Sequence, residues 1–270
     1  MMLCANVLTP ETAAVQDMLA YCGPLPEVLP RLREMGYRGV ELITVDPKTL
    51  DPVRLDGLLS ANDMKVVAIN TGRLCGGLGM TISNPDPDAR ERALMRTREV
   101  IDFAAYWAIP INMGILRGAY LSGVPREETY RLTVDALGSL CEYAASCKVD
   151  IAIETVCFMQ CNFLNTLAES RALIQDVGSP ALGVMYDLFQ MYIEERDIYQ
   201  AIAEFMPLCR HVHFADSNRR APGEGAMDYP KLVSSLKKAG YSGPVSVEIR
   251  PLPDQDAAAR AAAEYVLPLL

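Results

Sequence analysis

The chain has 270 residues, 50% of them hydrophobic and 22% charged, and a formal net charge of −9. The length suits one α/β barrel of about 250 residues, and the acidic balance speaks against a nucleic-acid partner, whose phosphates need a basic face. No run reaches the roughly 18 apolar residues of a membrane span, and the apolar start Met1 to Val7 lacks the basic flank and cleavage site of a secretory leader.

Short apolar runs and longer helical patterns alternate along the chain. The strand candidates are Leu3 to Val7, Gly39 to Thr44, Lys65 to Asn70, Pro110 to Leu116, Asp150 to Glu154, Ala181 to Asp187, His211 to Ala215 and Pro244 to Ile249. Helices are expected over Pro24 to Met35, Pro52 to Asn62, Asp88 to Ala108, Arg126 to Cys147, Thr166 to Val177, Arg196 to Met206, Tyr229 to Ala239 and Asp256 to Val266. Gly36 and Gly240 stand where a helix stops. Alternation alone also fits a doubly wound sheet. Eight strand-then-helix units with polar strand ends point instead to a single (β/α)₈ TIM barrel, one domain over residues 1–270. Two connections are long and glycine-containing, Thr71 to Pro87 and Asp216 to Asp228, and read as lids or as plain surface loops. The eight cysteines form no Cys-x-x-Cys pair and lie mostly in apolar segments. Buried free thiols in a reducing cytoplasm are expected.

Four of the apolar runs end on a residue able to bind a cation: Glu154, Asp187, His213 and Glu248. A parallel barrel brings all its strand ends to one mouth. Three carboxylates and one imidazole meeting there suit Mn²⁺, with Mg²⁺ or Co²⁺ as alternatives, better than a closed zinc site. A cation at that place polarises a carbonyl and acidifies the neighbouring carbon. Glu154 and Glu248, across the mouth from each other, are the expected acid/base pair for moving that proton through an enediolate. His211, two residues before His213, shares its face and reads as a hydrogen-bonded core histidine. Arg219 can hold substrate oxygens. Arg220 reads as a solvated loop residue. No Gly-x-Ser-x-Gly or phosphate-loop motif is present.

The stretches Gly114-Ile-Leu-Arg-Gly118, Cys161-Asn-Phe-Leu-Asn-Thr166, Asp187 to Glu195, His211 to Arg219, Pro222-Gly-Glu-Gly225 and Gly240 to Glu248 resemble the sugar phosphate isomerase/epimerase superfamily, the xylose isomerase-like TIM barrels. They resemble most its ketose 3-epimerase branch. The resemblance implies a metal at Glu154, Asp187, His213 and Glu248, acid/base work by Glu154 and Glu248, and substrate contact by Arg219. It implies a sugar as partner and a homodimer or tetramer. In place of a substrate-facing glutamate and histidine of that branch, this chain has Gln160 and Gln190. Both keep hydrogen-bonding capacity and lose charge. A sugar isomerase or epimerase is the first expectation. A lyase using the same enolisation, such as a dehydratase or a 3-oxo-glycoside or C-glycoside deglycosidase, is the second. A non-catalytic sugar-binding barrel is the third.

Overall fold

The computed structural model describes residues 1–12 and 19–270. Among them, eight parallel strands close into a barrel in sequence order. They are β1 (Met2–Leu8), β2 (Gly39–Ile43), β3 (Lys65–Asn70), β4 (Ile111–Met113), β5 (Ile151–Glu154), β6 (Leu182–Asp187), β7 (Cys209–Phe214) and β8 (Pro244–Val247). Pairing of β1 with β8, Ala5 opposite Val247, shuts the ring and leaves no edge strand. The helices outside it are α1 (Leu25–Glu34), α2 (Pro52–Ala61), α3 (Gly72–Leu78), α4 (Pro87–Ala105), α5 (Arg126–Ser146), α6 (Leu167–Val177), α7 (Leu188–Glu194), α8 (Ile198–Phe205), α9 (Tyr229–Lys238) and α10 (Gln255–Val266). None of the described helices is long and apolar enough to cross a membrane.

Local chemistry sets most boundaries. Asp51, Asp86, Asp197, Asp228 and Asp254 each accept first-turn backbone N–H groups at a helix start. Thr166 and Glu169 form a reciprocal capping box on α6. Gly36 and Gly240 follow their helices with φ of 101° and 94°, a region that favours glycine. The alanines of α10 at positions 258, 259, 262 and 263 are buried, so this helix lies close on the barrel, and the Tyr37 hydroxyl reaches the Ala259 carbonyl at 2.9 Å.

Four expectations are corrected. β4 stops at Met113, because the chain turns at Gly114 into a 3₁₀ turn, Ile115–Arg117, although the apolar run continues. The segment after β3 contains α3, despite three glycines within it, and closes on Gly79 in the left-handed region. A helix unanticipated from sequence, α7, follows β6 without a loop, because Asp187 itself caps it. All eight cysteines are free, but only Cys4, Cys141, Cys157 and Cys161 are buried.

Candidate active site

The C-terminal strand ends place Asp187, His213 and Glu248 together. One donor atom of each lies within 4.8 Å of the others. His213 Nδ1 stands 3.6 Å from Glu248 Oε2. Arg219 bridges the two carboxylates, with Nη1 2.6 Å from Asp187 Oδ2 and Nη2 on Glu248 Oε2. The other Asp187 oxygen accepts from the Phe189 and Gln190 amides at 2.9 and 3.3 Å. Glu248 Oε1 accepts from Asn6 at 3.0 Å and from Asn70 at 3.4 Å. The Arg219 guanidinium also stacks 4.8 Å above the Phe189 ring. It is delivered by a residue with φ of 62°, in a turn built on buried Asp216, which accepts from the backbone of Ser217, Gly223 and Met227.

Glu154 ends β5 beside this cluster but is not one of its three members. Its carboxylate lies directly under Gly114, where any Cβ would collide with Oε2. The two glutamates are driven apart electrostatically. Burial, then the charges of Glu248 and Asp187, push the Glu154 carboxyl up to about 8. Burial would also raise Glu248, but Arg219 and His213 outweigh it and hold that carboxyl below its ordinary value. His213 is disfavoured as a cation by burial, yet Glu41 and Glu248 carry it well above the usual imidazole range.

A second, fully buried layer lies beneath. Glu41 Oε2 sits 2.7 Å from His213 Nε2 and 2.8 Å from His211 Nε2, and Ser246 Oγ is 2.9 Å from the same His211 nitrogen. Glu41 Oε1 accepts from Asn70 at 3.0 Å and Asn112 at 2.8 Å. Sequence reasoning missed Glu41, Asn6, Asn70, Asn112 and Ser246. The available signal was a polar residue inside an apolar strand, which in a closed barrel points into the interior or out to a helix.

The expected substrate contacts divide. Arg219 is 7% exposed and inside the cluster. Gln190 is buried and its Oε1 accepts the Cys157 amide at 2.9 Å, so part of its capacity already holds the loop after β5. Gln160 lies on the exposed turn of that loop and makes none of the cluster's hydrogen bonds.

The residues fit a divalent cation. His213 Nδ1 is buried and, among the described residues, without a hydrogen-bond partner. It faces carboxylates from two strand ends, and those carboxylates already hold a cationic guanidinium between them. Glu41, His211 and His213 also lie within 4.8 Å of one another. Both Glu41 oxygens are occupied by four donors, however, so that group reads as a closed hydrogen-bonded layer.

Residues 29–268 match the xylose isomerase-like TIM barrel family, and the chain belongs to it. It is 30% identical over 229 residues to an L-ribulose 3-epimerase of Mesorhizobium japonicum, covering 83% of this chain and 75% of that protein. It is 33% identical over 144 residues to a D-psicose 3-epimerase of Agrobacterium fabrum, covering 53% of this chain and 47% of that protein. A crystal structure of D-psicose 3-epimerase with D-tagatose, from Clostridium cellulolyticum H10, superposes with a TM-score of 0.83 at 19% identity, over 100% of this chain and 99% of that one.

Proposed function

We propose that this chain is a divalent-metal-dependent sugar epimerase of the ketose 3-epimerase kind. The observation that carries the reading is the three-residue donor cluster of Asp187, His213 and Glu248 at the strand ends, with the second glutamate, Glu154, ending β5 beside it and its carboxyl pushed up relative to that of Glu248. Pairs whose environments push them apart are suited to acid and base roles. Asp187, His213 and Glu248 would hold the cation, with Glu154 as the fourth ligand and Mn²⁺, or else Mg²⁺ or Co²⁺, as the ion. Such a cation supplies Lewis-acid polarisation of a substrate carbonyl.

Glu248 takes the proton from the carbon beside the carbonyl, and the electron pair moves onto the carbonyl oxygen to give an enediolate. Glu154 returns a proton to that carbon from the opposite face. The configuration inverts and the mass is unchanged. Solvent resets both carboxyls. Arg219 orients substrate oxygens, with Gln190 and Gln160 as neutral hydrogen-bonding partners. The relatives above are named epimerases, so elimination is not proposed. A cytoplasmic site of action and a homodimer or tetramer belong to the same reading. Exposed Phe158, Met159 and Tyr192 are apolar surface that self-association would cover.

The test is incubation with Mn²⁺ and, separately, L-ribulose, D-fructose, D-psicose and D-tagatose, followed by chromatography of the sugars. A 3-epimer formed from at least one and lost with a chelator supports the reading. No epimer from any, with metal shown to be bound, contradicts it.

A further inference from the structure

We infer that Glu41 is a positioning residue that fixes which nitrogen of His213 meets the cation. This rests on the metal site proposed above and extends it inward. The chain contains two histidines, and both place Nε2 on the same buried carboxylate oxygen, at 2.7 and 2.8 Å. An ionised carboxylate only accepts hydrogen bonds, so each Nε2 must carry a proton. With Nε2 committed to Glu41, Nδ1 is the ring nitrogen left to give a lone pair to a cation, whose binding displaces any proton there. His213 Nδ1 is the buried atom without a partner that faces Glu248. The hydrogen bond therefore selects the tautomer, turns the ring, and aims the lone pair at the donor cluster. Its charge also makes Nδ1 a stronger ligand.

Glu41 is itself held in place. Four donors from three strands converge on it: Asn70 from β3, Asn112 from β4, and both histidines from β7, with Ser246 of β8 steadying His211. The layer draws on five of the eight strands below the mouth, β2, β3, β4, β7 and β8. A glutamine at position 41 would have one acceptor oxygen where four donors converge. Its amide would meet either the two imidazoles or the two asparagine amides donor to donor.

Two histidines make the test direct. ¹⁵N-imidazole NMR of the wild-type chain, with Zn²⁺ as a diamagnetic probe, should show His213 protonated at Nε2 and shifted by Zn²⁺ at Nδ1. Zn²⁺ bound through Nε2 would overturn the assignment without any variant. Calorimetry with Mn²⁺ on Glu41→Gln should show affinity weakened about 10- to 100-fold, the usual cost of losing such an outer partner, with circular dichroism unchanged. Asp187→Asn separates the two levels. If it weakens Mn²⁺ binding while Glu41→Gln does not, the role of Glu41 falls alone. If neither variant weakens binding, the metal site falls and the role of Glu41 with it.

Discussion

Gly114→Ala is the most local perturbation of the proposed acid. The added Cβ would run into Glu154 Oε2 and lie 3.5 Å from Cδ and 3.9 Å from Cβ of the same side chain. Gly114 has φ −88° and ψ −115°, outside the regions that L-residues favour, so alanine adds backbone strain to the collision with the carboxylate. The neighbouring backbone cannot easily give way. Arg117, fully buried, donates to the Gly114 carbonyl at 2.7 Å and to the Phe163 and Leu164 carbonyls at 2.6 and 3.0 Å, which ties the loops after β4 and β5 together. Glu154 must therefore move, by roughly 1 Å to restore van der Waals contact. A displacement of that size costs on the order of 100-fold in rate when it misplaces a reacting group. Overpacking costs about 1–3 kcal/mol in stability. The assay is steady-state kinetics with Mn²⁺ on whichever ketose is turned over, beside thermal unfolding. Loss of kcat with a modest fall in Tm is expected. Wild-type kcat would refute the placement of Glu154 at the reacting carbon.

Three further outcomes follow from the same geometry. Glu248→Gln should abolish turnover while near- and far-ultraviolet circular dichroism stay those of the wild type. Arg219→Met should destabilise the metal-free chain by about 3–5 kcal/mol, because Asp187 and Glu248 then face each other without their shared cation. Mn²⁺ should recover part of that loss in a thermal melt, and an unchanged Tm without metal would count against the bridge. Glu154, raised from 4.5 to about 8, makes the metal-free chain less stable as pH rises. Between those values the unfolded chain has released a proton that the folded one keeps, so this group's stabilisation is complete below about 4.5 and lost by about 8. Its slope is at most about 1.4 kcal/mol per pH unit. Urea midpoints of wild type and Glu154→Gln, compared at pH 5 and 8, should converge at one end and separate at the other; parallel curves would contradict the shift.

The barrel was legible because strand and helix patterns alternate eight times, and β3 matches its expected span of Lys65 to Asn70. Asp187, His213 and Glu248 were legible as polar residues ending apolar runs. α7 was not, because the residue expected only as a ligand also caps a helix. β4 was overextended, because Ile115 and Leu116 continue the apolar run after Gly114 has turned the chain. Glu41 was hidden for a different reason. One buried glutamate in β2 gains meaning only when closure brings β7 across from it, and spacing along the chain does not show that approach. Gln160 illustrates the limit in the other direction, since its sequence position suggested substrate contact while its side chain lies on an exposed turn.

Proton exchange tests the central claim most directly, that two carboxylates at the mouth move a proton on a sugar carbon. The chain with Mn²⁺ and a ketose it turns over would be followed by ¹H NMR in D₂O. The account predicts solvent deuterium at the carbon beside the carbonyl in the epimerised product, at unchanged carbon skeleton, and no incorporation with Glu248→Gln. Epimer that retains the substrate's own hydrogen at that carbon, or incorporation that persists in Glu248→Gln, would contradict it.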